Sequence, residues 1–270
     1  MHQADFEIEP FFLDGGHGSL FCLHLYPANT PPRGSILYLH PFAEEMHKSR
    51  RMASLQARRM AAQGYSVLQV DLTGCGDSAG DFADASWQIW LDDARRAHGW
   101  LASKAAAPII LWGLRTGASL AVDLARELSD IQQLILWQPV TNGDQYLNQF
   151  LRIKLASEML GSGQSQNDTQ SLRAKLQAGE NIEVGGYRLS PAMASELACL
   201  NLSAMPPPCP VNWLELGALA ADQPSPAGRR VVEEWRKHGV SVHTRTLAGD
   251  PFWLTQEITE CAGLLEVTMP

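Results

Sequence analysis

Short apolar runs of strand length alternate along this chain with stretches of helical spacing, and that alternation restricts the fold more than any other feature. Ser35–Leu39 (SILYL) is a continuous apolar run, as expected for a strand buried on both faces. Lys48–Gln63 then sets Met52, Leu55, Arg59 and Met60 at helical spacing, and Gly64 stops it. Tyr65–Val70 (YSVLQV) reads as the next strand, Ser86–Ser103 as a helix and Ile109–Trp112 as a strand. Ala118–Leu128 reads as a helix and Leu134–Trp137 as a further strand. Alternating units of this length imply a mostly parallel sheet covered by helices on both faces. Ahead of them, Phe6–Leu13 and Leu20–Tyr26 flank the turn signal Asp14-Gly15-Gly16-His17-Gly18, which predicts a hairpin.

The alternation breaks between about Thr141 and Pro210. That stretch carries helix signals, the polar run GSGQSQNDTQ and the proline-rich MPPPCP. It reads as a lid or cap insertion, residues 141–210, over one edge of a single domain spanning 1–270. GSGQSQNDTQ is the best candidate for a mobile loop. The sheet pattern resumes at Val211–Leu216 (VNWLEL). A helix at Arg229–His238, a strand at Val240–Leu247 and a final helix at Thr255–Leu265 follow. At 270 residues such a chain is an ordinary length for one sheet-centred domain.

Composition narrows the partners. With 45% hydrophobic and 19% charged residues the chain is globular, and its net charge of −8 argues against a nucleic-acid partner, which needs a basic patch. The basic run Lys48, Arg50, Arg51, Arg58 and Arg59 reads as a solvated helix face. The five cysteines form neither a CxxC pair nor a zinc spacing, as in a reduced, cytoplasmic protein. No metal or other cofactor is expected. The first residues, MHQADFEIEP, lack the positive start of a signal peptide, and no apolar stretch approaches the ~20 residues of a membrane span.

Ligands of such sheets sit beyond the carboxyl ends of the strands, so the segments just after the strands hold the candidates. Gly113-Leu114-Arg115-Thr116-Gly117 is the most informative, because strand, Gly-x-X-x-Gly and helix together make the strained turn that presents a nucleophile. The residue at its tip is Arg115. A guanidinium stays protonated and cannot attack a carbonyl. It also sits at the positive end of a helix, where a nearby anion would help. Glu44 and Glu45 follow SILYL, the strand expected beside the turn, and one of them is expected to pair with Arg115. Otherwise both are exposed loop acids. His40 could orient the same loop or contact a ligand, or be a hydrogen-bonded structural residue. After VNWLEL, Asp222 or Glu215 could be the acid of a triad. The matching position after the last strand, Gly249–Trp253, holds no histidine. Gly74 and Gly76 follow Asp71, but no P-loop lysine accompanies them, so Asp77 and Ser78 are expected to form a turn or cap the next helix.

HPFAEEMHKSRRM, DLTGCGDSAGDF, GLRTGA and PFWLTQEI together resemble the exosortase A system-associated hydrolases of the second type, across roughly Phe6 to Glu266. Thr73, where a proline is usual, and His47, often an asparagine, depart from that pattern. The resemblance implies an α/β-hydrolase fold and a place in a bacterial exopolysaccharide and PEP-CTERM sorting system; fold alone gives no substrate. Three functions follow as expectations. One is a ligand-binding protein without the serine reaction, taking a small acidic or sugar-derived ligand at Arg115. Another is an ester or thioester hydrolase activating water through Glu44, Glu45, His40 or Asp222. A third is an interaction module docking a protein partner of that system through the 141–210 segment, whose Tyr146–Leu160 stretch is amphipathic.

Overall fold

The computed structural model describes residues 6–105, 107–162, 168–218, 220 and 223–270. Its strands and helices, in chain order, are β1 (Phe6–Gly15), β2 (Gly18–Pro27), β3 (Ser35–Leu39), α1 (Glu44–Ala62), β4 (Ser66–Val70) and α2 (Trp87–Lys104). Next come β5 (Ile109–Leu114), α3 (Thr116–Glu127), β6 (Ile131–Trp137), α4 (Gly143–Ser162) and α5 (Thr169–Gln177). The remainder are β7 (Ile182–Val184), β8 (Tyr187–Leu189), α6 (Pro191–Ala198), β9 (Val211–Gly217), α7 (Pro226–Lys237), β10 (Val242–Ala248) and α8 (Ala262–Val267).

Eight strands form one sheet in the order β1-β2-β4-β3-β5-β6-β9-β10. The β1–β2 hairpin pairs antiparallel, β2 joins β4 antiparallel, and every pairing from β4 to β10 is parallel. Side chains alternate across the strands. Ile36, Tyr38, Ile110 and Trp112 face α1 and α8, while Leu37, Leu39 and Leu111 face α2 and α3. All seven are buried, so a strand covered on both faces reads as an unbroken apolar run. Burying each of the aliphatic side chains Ile36, Leu37, Leu39, Ile110 and Leu111 contributes on the order of 2 kcal/mol.

Residues 141–210 hold α4, α5, the small β7–β8 hairpin and α6, which pack mainly on one another and on α2. Their contact with the sheet's carboxyl end runs through Phe42, whose ring meets Tyr146 and Phe150 of α4 at 6.0 and 5.1 Å. Residues 163–167, the middle of GSGQSQNDTQ, lie outside the described residues, and its last two residues open α5 behind the capping Asp168.

Two boundaries differ from the sequence reading. The final helix is α8, Ala262–Val267, and not Thr255–Leu265. The Thr259 hydroxyl bonds the Thr255 hydroxyl and the Glu257 carbonyl, offering the chain local partners in place of helix. Helix α1 starts at Glu44, so the two glutamates occupy its first turn instead of a loop. Acids there complement the helix dipole. Asp77 and Ser78 form the turn expected of them and not a cap: the Ser78 amide donates to the Cys75 carbonyl at 3.1 Å, its hydroxyl donates to the Asp71 carbonyl and accepts from the Phe21 amide, and Ser86 caps α2.

Candidate functional site

The turn between β5 and α3 is built by close backbone approach. A Cβ at Gly117 would stand 2.1 Å from the Leu39 carbonyl oxygen and 2.4 Å from that of His40; one at Gly113 would stand 2.3 Å from the Gly117 carbonyl oxygen. Between these glycines Arg115 takes φ 57° and ψ −117°, a conformation that costs an ordinary side chain about 1–3 kcal/mol and that clusters at functional sites. The Arg115 amide donates to the Trp137 carbonyl at 2.9 Å, tying the turn to β6.

The side chain points into the space beyond the sheet and meets Glu45. Nε lies 3.3 Å from Oε1, and Nη2 lies 3.2 Å from the same oxygen. Side-chain exposures of 16% and 11% make this a largely dry pair. The guanidinium carbon sits 5.5 Å from the ring centroids of both Tyr146 and Trp253, so aromatic faces flank the charge from α4 and from the loop after β10. Burial pushes the Glu45 carboxyl above its usual range, while the Arg115 charge and hydrogen bond pull against it. The Tyr146 hydroxyl is raised well above its usual value by burial and then by the neighbouring carboxylate.

Above the pair opens a cavity of about 240 Å³ whose walls include Phe42, Phe150, Ile153, Tyr187, Trp253 and Leu254. Apolar walls between a charged pair on the floor and the Glu44–Lys48 pair at the rim fit a ligand with an apolar body and a polar end.

The expected site residues do not all meet. Glu45 is the partner of Arg115. Glu44 lines the cavity rim, 57% exposed, and pairs with Lys48. His40 is buried and borders a separate cavity with Asp71 and Arg50. Its Nε2 accepts from the Leu72 amide at 3.1 Å, and its Nδ1 donates to the Pro41 carbonyl at 2.8 Å. Burial also lowers its pKa, so a neutral ring with that proton placement holds the β3 loop against the β4 loop. Asp222 lies outside the described residues. Glu215 is buried and accepts from the Trp213 indole and from the amide and hydroxyl of Ser225. One serine–histidine contact does form, between Ser66 and His24 at 2.8 Å, but both are packed inside the domain. Sequence reasoning missed Tyr146 and Trp253 as walls. Trp253 had a signal, its place just after the last strand. Tyr146 had none, because only the packing of α4 brings it there.

The strand order, the glycine-framed turn after β5 and the loop after β10 define an α/β-hydrolase fold. Residues 30–181 match the model of the serine aminopeptidase S33 family, and the chain belongs to that family. It is 30% identical over 112 residues to Protein ABHD12B of Homo sapiens and to the lysophosphatidylserine lipase ABHD12 of Xenopus tropicalis. These matches take in 40% of this chain, and it spans only 30% and 28% of those relatives' lengths. Among solved structures it is similar to Est1E of Butyrivibrio proteoclasticus with bound ferulic acid, TM-score 0.71 at 17% identity over 95% of both chains. It is also similar to a thermostable carboxyl esterase of Bacillus coagulans, TM-score 0.61 at 15% identity over 92% of this chain and 91% of that one. Likeness at these identities shows the fold alone. Among the described residues, no helix is long and apolar enough to cross a membrane.

Proposed function

We propose that this chain is a ligand-binding member of its family that has given up the serine reaction, serving a bacterial exosortase-linked exopolysaccharide system. The observation that carries this reading is Arg115 at the turn tip, paired with Glu45 under an apolar cavity. A permanently protonated side chain cannot be acylated. The segment 249–253, where the fold places its general base, holds Trp253 against Arg115 and no histidine. The same guanidinium is suited to a carboxylate or phosphate oxygen, since its Nη1 makes no hydrogen bond among the described residues. The place in a polysaccharide system rests on the sequence resemblance. The 141–210 segment serves as the lid of the cavity.

Titration with sodium octanoate, followed by tryptophan fluorescence, tests this. Arg115→Ala lowers the affinity tenfold or more, and neither protein is labelled by a fluorophosphonate probe. Octanoate binding that is indifferent to Arg115, or covalent labelling of the wild type, overturns the reading.

A second reading keeps turnover, with Glu45 as general base on a water. Its raised pKa and its place on the cavity floor favour it. Hydrolysis of p-nitrophenyl octanoate that disappears in Glu45→Gln supports this alternative; a wild type without turnover excludes it.

A further inference from the structure

Arg115 is a partition and not only a floor. On its other side lies a second cavity of about 190 Å³, and Arg115, Tyr146 and Gln149 line both. The two chambers differ in chemistry. The first is walled by Phe42, Phe150, Trp253 and Leu254. The second presents Gln138, Thr141, Asn142, Gln145 and Gln149.

Several of those polar groups have capacity to spare. The Asn142 side-chain Oδ1 accepts from the Gln145 backbone N–H, and Gln138 Oε1 accepts from the Leu216 backbone N–H. The side-chain amides of Gln145 and Gln149 and the Thr141 hydroxyl make no hydrogen bond among the described residues. Gln138 itself sits at φ 44°, and with Ala43 at φ 49° and Arg115 at φ 57° it makes three strained non-glycine residues around the two chambers. Side-chain amides offer a donor and an acceptor side by side, which matches neighbouring hydroxyls of a ring. They match an acyl chain poorly, because an amide covered by it loses its water and gains no partner. Gln149 is exposed, on the rim the chambers share.

We propose that the site takes a glycolipid-like amphiphile. One apolar chain lies in the Phe42–Phe150 chamber, a hydroxylated ring lies among Gln138, Gln145 and Gln149, and the oxygen-bearing junction between them crosses Arg115. This rests on the ligand-binding reading above and names the class of ligand. Neither chamber alone suits both halves of such a molecule, and Tyr146 and Gln149 of α4 line both. Recognition is then split. Chain length is read on one side of Arg115, and ring hydroxyls on the other.

The test compares n-octyl β-D-glucoside below its micellar concentration, sodium octanoate and methyl β-D-glucoside by calorimetry. Octyl glucoside binds at least tenfold more tightly than methyl glucoside. Gln145→Leu, exposed on α4 and lining the second chamber but not the first, weakens octyl glucoside at least fivefold and leaves octanoate within twofold. Far-UV circular dichroism verifies that the variant is folded. Octyl glucoside binding no tighter than methyl glucoside, or unchanged in Gln145→Leu, overturns the inference. If octanoate still binds through Arg115 in that case, the ligand-binding reading survives without it. If no probe binds, both fall.

Discussion

The guanidinium of Arg115 lies 5.5 Å from the centre of the Trp253 ring, so the residue at the turn tip and the residue after the last strand touch as charge and aromatic face. A nucleophilic serine needs a base at that second position. Arg115→Ser therefore leaves the protein without ester turnover and unlabelled by a fluorophosphonate. A steady-state assay with p-nitrophenyl octanoate checks this, and strong labelling of the variant would show that another base is within reach.

Glu45 gives a pH signature. Its carboxyl is raised by burial, against the pull of Arg115, the Tyr146 hydroxyl and Lys48. Glu44, in the same first turn of α1, is engaged by Lys48. A raised acid holds its proton more tightly folded than unfolded, so stability is greater below the ordinary carboxyl range and declines as pH rises through the raised value. Glu45→Gln removes that decline. Urea unfolding of both proteins from pH 4 to pH 8 measures it; parallel curves would mean that the carboxyl is not raised.

His24 has the opposite sign. Burial, aided by Lys104, lowers its pKa to about 4. The folded state resists its protonation, so stability is lost as pH falls from the ordinary histidine value towards 4. The difference between the two ends amounts to at most about 3 kcal/mol. His24→Gln flattens this part of the profile, and acid unfolding followed by circular dichroism records it.

Alanine is normally the better helix residue by up to about 1 kcal/mol, yet at Gly117, in the first turn of α3, the sign reverses. The added methyl meets two carbonyl oxygens of the backbone after β3, neither of which can rotate away. Gly117→Ala destabilises by roughly 3 kcal/mol or more. Thermal unfolding tests this, and an unchanged Tm contradicts it.

Thiol chemistry separates the cysteines. Cys199 is exposed, whereas Cys22, Cys75, Cys209 and Cys261 are buried. Burial pushes the Cys22 thiol up to about 12 and that of Cys209 to about 11. Thiolates are the reactive species. Ellman's reagent releases one fast equivalent from the native protein, absent in Cys199→Ser. A second fast equivalent contradicts the packing.

The chain's pattern was legible where local chemistry and tertiary packing agree. SILYL, YSVLQV and the turn at Gly113–Gly117 each carried their own signal, since a doubly covered strand must be apolar and a cramped turn must have glycine. Glu45 against Arg115 was foreseeable as one of two glutamates, but choosing between them needed the start of α1. That helix puts Glu45 inside and Glu44 at the rim. Thr255–Leu265 misled because its apolar spacing outweighed threonine's preference for local hydrogen bonds. The second chamber was invisible in the sequence. Gln138 and Gln145 become neighbours only when the end of β6 meets the start of α4.

Tyr146 belongs to α4 yet faces the Glu45 carboxylate and flanks the Arg115 charge. The segment that roofs the cavity is thereby part of its dielectric. How closely α4 packs over Glu45 accordingly sets how far water is kept from that carboxyl, and with it how strongly the acid is held above its usual range.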